Sequence, residues 1–284
     1  MAQTGPSAAA MAPEDVCCGT ERLAVPVSGP WENLPAFQYT PELIAGPGAE
    51  QDPSEVTIQG CDCRGSNCVA ELCSCLPHGT NYVRRTIVSG QRPVRECHIM
   101  CSCGESCPNR ETQQGLQYQL QLCQRPGKGW GVCTLEDIPS GRFVCEYAGE
   151  VLGHEQARSR TLSQNPCANN YIIAVREHLH GGQILQTFVD PTHIGNVGRF
   201  LNHSCDPNLF MMPVRTHSMV PKLALFAARD IQAGEELCYD YSGKFFNQTP
   251  ACETLDPEEP SSRKKCQCGA RACSGFLPYE SSLF

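Results

Sequence analysis

Long apolar runs are missing from this sequence. None of its 284 residues belongs to a stretch approaching the roughly 18 apolar residues that a membrane span needs, so no membrane partner is expected. The opening MAQTGPSAAAMAPEDVCC lacks the basic flank and continuous apolar stretch of a secretory signal, which argues against a secreted disulfide framework. Positive charge is short as well. With 22 Lys and Arg against 30 Asp and Glu, the formal net charge is −8, a poor match to nucleic acid and a better one to a cationic partner. Such a balance also keeps many acidic proteins soluble. Conventional apolar side chains are few: the 40% hydrophobic fraction includes 21 cysteines, and without them roughly a third of the chain is left to build a core.

What the sequence has instead is cysteine, at several times ordinary usage, together with 25 glycines and 22 prolines that imply many turns and short elements. Nine cysteines fall at positions 61, 63, 68, 73, 75, 97, 101, 103 and 107, among few large apolar residues. Thiolate sulfur is a soft ligand suited to zinc, which takes four ligands tetrahedrally. Nine does not divide by four, but three zinc ions are satisfied by nine cysteines if three of them bridge two metals each. Buried free thiols or a disulfide knot are the competing accounts; the density of the cluster and the absence of a signal oppose them. Cys266, Cys268 and Cys273 form a second group that leaves a zinc one ligand short.

The chain divides by composition. Residues 1–54 read as a mobile arm and lead-in rich in Ala, Pro, Gly and Ser. Residues 55–115 hold the nine-cysteine region, 116–243 a β-rich domain, 244–265 a flexible polar connector and 266–284 the closing cysteine segment. FVCEY alternates, with Phe143, Cys145 and Tyr147 on one face and Val144 and Glu146 on the other. LALFAA (223–228) and QILQTFVD (183–190) read as further strands, and 152–162 as a helix. Two turns resemble each other, Asp137-Ile138-x-x-Gly141 and Asp230-Ile231-x-x-Gly234, each with a cysteine eight residues beyond its Asp.

Three further motifs carry chemistry. Lys128-Gly129-Trp130-Gly131 is a glycine turn around an aromatic, weak alone. Asn196-x-Gly198-Arg199-Phe200-Leu201-Asn202-His203-Ser204-Cys205-Asp206-Pro207-Asn208 is long enough to make chance improbable. Gly234-Glu235-Glu236-Leu237-Cys238-Tyr239-Asp240-Tyr241 places two tyrosines around an aspartate. In this order, behind the nine-cysteine spacing and ahead of Cys266-x-Cys268-x4-Cys273, they resemble the SET-domain protein lysine methyltransferases of the Suv39 and G9a class, with pre-SET and post-SET zinc regions. The resemblance spans about residues 55–280.

That resemblance implies a mostly β SET fold of small curved sheets with knot-like threading, in which segments 199–208 and 236–242 meet, flanked by zinc-clustered pre-SET and post-SET segments. It implies four zinc ions. Cys61, Cys68 and Cys97 bridge three of them; Cys63 and Cys73 complete the first, Cys75 and Cys101 the second, Cys103 and Cys107 the third. Cys205 joins Cys266, Cys268 and Cys273 around the fourth. S-adenosylmethionine is expected against Lys128, Gly129, Trp130, Tyr171, Arg199, Asn202 and His203, with Phe276 over its adenine. Tyr241 is the expected catalytic tyrosine, Tyr239 the residue tuning the product towards mono- and dimethylation, and Tyr147 a residue lining the lysine channel. The implied activity is methyl transfer to a lysine of the histone H3 tail or nucleosome, by a nuclear, chromatin-associated monomer that meets DNA only indirectly. The alternatives are a methyltransferase of a non-histone protein and a zinc-rich chromatin-interaction or DNA-binding module without activity.

Overall fold

Short strands, most of them two to seven residues long, build nearly all of the regular structure; His154–Ser163 is the only α-helix among the described residues. The computed structural model describes residues 15–65, 68–164, 169–178, 182, 184–243, 264–278 and 283. The expected connector lies largely outside them. The larger sheet runs in the order Val27–Ser28, Leu120–Arg125, Gly129–Thr134, Glu236–Tyr239, Leu209–Arg215, Lys222–Ala227, Phe143–Glu146. Asn202–His203 joins it on Glu236–Tyr239, and Val94–Arg95 of the cysteine-rich region joins it on Leu209–Arg215. A second sheet runs Ile173–His178, Ile184–Gly195, Gly149–Leu152, Ile44–Ala45, with Gln38–Tyr39 on Ile184–Gly195. The mostly β build of small sheets expected from the motifs is found, and segments 199–208 and 236–242 meet through the pairing of Asn202–His203 with Cys238–Tyr239.

The main apolar cluster lies between these sheets, around Leu120, Leu122, Val132, Leu209, Leu223, Leu225 and Leu237, each fully buried. The two similar turns prove to be partners. Ile138 and Ile231 exchange both backbone hydrogen bonds (2.8 and 2.9 Å). Asp230 Oδ1 accepts from the Ser140 amide at 2.7 Å, and Asp137 Oδ1 accepts from the Ala233 amide at 2.8 Å. Each aspartate thus satisfies the other's turn, the role for which a short carboxylate suits a turn.

Two expectations are corrected. Phe143, Cys145 and Tyr147 do not share one face, and every residue of Phe143–Glu146 is buried. A bulge between Leu225 and Phe226 inserts Val144 and splits Phe143 from Cys145, which pack into different clusters. The other concerns the arm. From Asp15 onward the lead-in is packed onto the sheets: Val16, Cys17 and Val25 are buried, and Asp15 Oδ1 accepts from the Cys17 and Val25 amides. Val27–Ser28, Gln38–Tyr39 and Ile44–Ala45 each add a two-residue parallel strand to an existing sheet. Strands so short leave no periodicity to read, and their order comes from backbone bonds to partners distant in sequence.

One ion pair fastens this lead-in to the domain. Lys222 Nζ lies 2.8 Å from Glu146 Oε2 and 3.2 Å from Glu42 Oε1. Lys222 and Glu146 are 8% and 7% exposed, while Glu42 approaches from the surface. The Glu146 carboxyl is pushed up by burial and drawn back by Lys222. Removing one member of a buried pair strands the other charge, so Lys222→Ala is expected to lower unfolding stability by about 3 kcal/mol. Urea denaturation of the purified protein checks this; a loss under about 1 kcal/mol, the scale of a surface pair, contradicts the buried role.

Candidate active site and metal centres

Two segments separated by a long crossover lie side by side in parallel, with Asn202 opposite Cys238 and His203 opposite Tyr239. Asn208 locks the pairing: its Oδ1 accepts from the Cys238 amide and its Nδ2 donates to the Glu236 carbonyl, both at 2.8 Å. Asn196 has a matching role at the start of the same motif. Its Oδ1 accepts from the Gly198 and Ala148 amides and its Nδ2 donates to the Glu146 carbonyl. Both asparagines are almost fully buried and both satisfy backbone groups that no sheet partner reaches.

The three expected tyrosines come together. Tyr147 and Tyr239 meet edge to face at 6.1 Å between centroids, and Tyr239 lies 4.8 Å from Tyr241. Tyr147 donates its hydroxyl hydrogen to the Tyr171 carbonyl at 2.5 Å, and Tyr241 donates to the Leu201 carbonyl at 2.6 Å. Tyr147 and Tyr239 are buried, whereas the Tyr241 ring is 39% exposed with its hydroxyl turned inward. Burial, reinforced by the neighbouring tyrosines and acidic groups, pushes all three hydroxyls above the usual phenol range. They stay protonated across the physiological range and act as donors and orienters, not bases.

His203 connects this aromatic wall to the tail. The Tyr241 amide donates to its Nδ1 at 3.2 Å, which leaves the ring hydrogen on Nε2, 3.3 Å from Cys205 Sγ. The Tyr241 ring packs against the imidazole at 5.3 Å.

Beside the tyrosines, Glu236 ties three elements together. Its Oε1 accepts from Asn202 Nδ2 at 2.9 Å, and its Oε2 lies 2.9 Å from Lys128 Nζ and 3.6 Å from Arg125 Nε. Asn202 Nδ2 also donates to the Trp130 carbonyl at 3.1 Å. Gly129 has φ +83°, and a Cβ placed on it would meet nothing within 4 Å, so the Lys128–Trp130 turn presents open backbone beside these polar groups. Such a cradle of backbone and mixed-charge side chains fits a polar cofactor that carries both charges. Arg199 sits deeper, its guanidinium 4.5, 4.7 and 4.8 Å from the rings of Phe37, Tyr171 and Phe200, and it donates to the Pro191 and Thr192 carbonyls. Phe276 is 43% exposed, held by a backbone bridge to Lys265. Sequence reasoning did not single out Glu236 or the Leu201 carbonyl. Glu236 lies inside a quoted motif, but its partners come from two distant segments, the Leu120–Thr134 hairpin and Asn202.

The nine cysteines of the first cluster pack into one body, all but Cys63 buried. The sulfurs of Cys61, Cys68 and Cys97 form a triangle with sides of 4.0, 4.0 and 3.8 Å. Three four-sulfur groups surround it: Cys61, Cys63, Cys68 and Cys73; Cys61, Cys73, Cys75 and Cys97; Cys61, Cys68, Cys97 and Cys103. Cys61 belongs to all three, and Cys68, Cys73 and Cys97 to two each, a pattern that shared thiolates produce. Cys101 lies 3.7 Å from Cys75, and Cys107 is buried in the same body. A hydrogen bond from Cys97 holds the Cys75 thiol down to about 5, while Cys97 itself is pushed up by that partner and by burial. Buried sulfurs this close can all ionise only with cations among them, and soft tetrahedral ions fit the donor set. Cys205, Cys266, Cys268 and Cys273 form a fourth four-sulfur group, half-buried, at the point where the tail meets the asparagine–histidine segment. The other cysteines follow different chemistry: Cys145 and Cys238 are buried as small apolar groups, the buried Cys17 thiol donates to the Asp15 carboxylate at 2.8 Å, and Cys123 and Cys133, for which the sequence suggested no metal role, are joined as a disulfide.

Comparison with known proteins agrees with this geometry. The SET domain family matches residues 129–242, and the Pre-SET motif matches residues 18–110. The histone-lysine N-methyltransferase SETMAR of Rattus norvegicus is 53% identical over 289 residues, covering 98% of this chain and 91% of that protein. The crystal structure of the methyltransferase domain of human SETMAR superposes with a TM-score of 0.85 at 51% identity, covering 94% of this chain and 98% of that one. KRYPTONITE, solved in complex with mCHH DNA, an H3(1–15) peptide and SAH, superposes with a TM-score of 0.69 at 29% identity, covering 93% of this chain and 53% of that one.

The sharing pattern has a measurable consequence. Replacing a sulfur common to several groups disturbs more than one ion, so Cys61→Ser is expected to lose more bound zinc per chain than Cys63→Ser, whose loss should not exceed about one ion. Atomic emission on the purified variants measures this, and equal losses would contradict the shared role of Cys61.

Proposed function

The chain belongs to the SET-domain family of histone-lysine N-methyltransferases, and from that premise we propose that it transfers methyl groups from S-adenosylmethionine to a lysine of the histone H3 tail. The observation that carries this reading is the meeting of Asn202 and His203 with Tyr239 and Tyr241 on adjacent parallel strands, beside the open Gly129 turn. When bound, S-adenosylmethionine supplies a methyl group on a sulfonium, already activated for transfer. The work left to the protein is alignment, exclusion of water and control of the lysine's charge.

Lys128, Gly129, Trp130, Asn202, His203 and Glu236 are the groups proposed to hold the cofactor, with Tyr171 and Arg199 closing the site behind and Phe276 covering it. Tyr147, Tyr239 and Tyr241 are proposed to wall the lysine channel. A free lysine side chain titrates near 10.4 and attacks only as the neutral amine. An apolar, aromatic passage favours that neutral form by desolvation. None of the three tyrosines can accept the proton, since each keeps its own, so the proton leaves to solvent. The carbonyls of Leu201 and Tyr171, held by Tyr241 and Tyr147, add oxygen density suited to weak CH···O contacts with the transferring methyl.

Four zinc ions are proposed, three in the nine-cysteine body and one at Cys205, Cys266, Cys268 and Cys273. Their role is structural, with the last fastening the tail beside His203. The proposed units are a pre-SET region at 55–115, a SET domain at 116–243 and a post-SET segment at 266–284; the lead-in from Asp15 packs with the SET domain. The H3 tail is favoured by the peptide in the KRYPTONITE complex and by the acidic charge of this chain. A chromatin substrate implies nuclear residence, and the proposed acting form is a monomer.

Incubating the zinc-loaded protein with labelled S-adenosylmethionine and intact nucleosomes, then mapping the label by mass spectrometry, tests the substrate; label on the H3 tail is expected, and label confined to other proteins would overturn it. In that assay Tyr241→Phe is expected to lower transfer by about 10²-fold, the scale of losing one positioned group, with cofactor affinity retained. Tyr239→Phe removes a hydroxyl from the channel and is expected to raise the trimethylated share of the product. An unchanged product distribution would count against Tyr239 as the group that limits methylation.

A further inference from the structure

Cys123 and Cys133 are joined diagonally across the hairpin formed by Leu120–Arg125 and Gly129–Thr134, the hairpin whose turn is Lys128–Trp130. Neither sulfur belongs to a four-sulfur group. Cys123 is half-buried, while Cys133 is 6% exposed. The Arg125 guanidinium donates to Cys133 Sγ, and its Nε lies 3.6 Å from Glu236 Oε2. Glu236 in turn holds Lys128 at 2.9 Å and Asn202 at 2.9 Å. A chain of direct contacts therefore runs from the sulfur pair through Arg125 to the carboxylate that organises the cofactor cradle.

From this arrangement we infer that Cys123 and Cys133 are a thiol–disulfide pair that sets the affinity of the cofactor site. The inference rests on the assignment of the Lys128–Glu236–Asn202 cradle as the cofactor site. In a reducing compartment a disulfide is typically transient and redox-sensing. Oxidation needs a disulfide co-reactant of the glutathione class. The Cys123 thiolate, the more accessible of the two, attacks one sulfur of that oxidant and releases the first small thiolate. The Cys133 thiolate, favoured by the adjacent guanidinium, then attacks the Cys123 sulfur of the mixed disulfide and releases the second. One S–S bond is broken and one formed. Two electrons pass to the oxidant, and the two thiol protons end on the two released thiols.

Closed, the pair carries no charge, so Cys133 Sγ is only a weak neutral acceptor for one Arg125 nitrogen and the guanidinium charge is paired with Glu236. Opened, a Cys133 thiolate competes for the same guanidinium, the Arg125–Glu236 contact loosens, and the two strands lose their covalent tie. Reduction is therefore expected to weaken cofactor binding.

The test uses the zinc-loaded chain equilibrated with reduced or oxidised glutathione. Alkylation followed by peptide mass spectrometry reads Cys123 and Cys133, calorimetry with S-adenosylmethionine reads affinity, and zinc content is measured in each sample. The expected result is a blocked pair in the oxidised sample and affinity about threefold weaker in the reduced one, the scale of one partly exposed ion pair, at equal zinc content. Cys123→Ser and Cys133→Ser should each abolish this redox dependence. Free thiols at both positions in the oxidised sample, equal affinity in the two samples, or an undiminished redox response in both variants would overturn the inference. No binding in either state would overturn the site assignment instead, while the alkylation pattern would still decide whether the pair forms.

Discussion

The structure turns on one parallel strand pairing. Asn202–His203 beside Cys238–Tyr239 sets the residues expected around the cofactor against the tyrosines expected around the lysine, in fixed register. Parallel neighbours cannot be joined by a tight turn, so the chain must travel away and return. It does so through the Leu209–Arg215 and Lys222–Ala227 hairpin, which lies in the larger sheet between Glu236–Tyr239 and Phe143–Glu146. The site and the core are therefore built by the same excursion. Asn208 holds the two ends of the loop together by bonding Glu236 and Cys238 directly.

Sulfur replaces hydrocarbon where the core is thin. The cluster around the nine cysteines holds only Leu76 and Ala70 besides them, so this region packs around its sulfurs. It is attached to the sheets by Val94–Arg95 and by the Glu96 amide, which donates to the Arg215 carbonyl, while the fully buried Glu96 carboxylate accepts from Tyr82, Thr112 and Gln113 within the region itself. Those hydrogen bonds offset some of the cost of burying it, though burial still pushes its titration upward. The fourth sulfur group does a different task. It joins residues 266–273 to Cys205, two residues from His203, while Leu283 beyond it is buried against Leu152, Ala157, Ile172 and Phe188.

Electrostatic order in the site comes from a few shared carboxylates. Glu236 serves Lys128, Asn202 and Arg125 together, and Glu146 serves Lys222 below the tyrosines. Each reaches partners from segments that the sequence separates widely, and each lies beside a strand whose backbone is already committed to a sheet. Arg199 is handled without a carboxylate at all: three aromatic faces and two carbonyls surround its guanidinium, and burial draws its titration down.

The spacing of nine cysteines pointed to zinc, and together with the thirteen-residue asparagine–histidine run and the Tyr-Asp-Tyr segment it carried the family resemblance that implied the fold class and the reaction, because ligand number and motif order are properties of the chain itself. The Lys222–Ala227 strand and the His154–Ser163 helix were legible for the same reason, as local composition. What the sequence could not decide was which distant groups satisfy one another. The lead-in looked mobile because two-residue strands carry no period, yet sheet edges far along the chain order it. The faces of Phe143–Glu146 were misread because a bulge, set by the partner strand, breaks the alternation. Cys123 and Cys133 gave no sign of pairing until the hairpin register brought them within reach, and Glu236 was one acidic residue among thirty until that hairpin and Asn202 converged on it. Local chemistry is written in order along the chain, whereas hydrogen-bond and charge partners are chosen only when the sheets close.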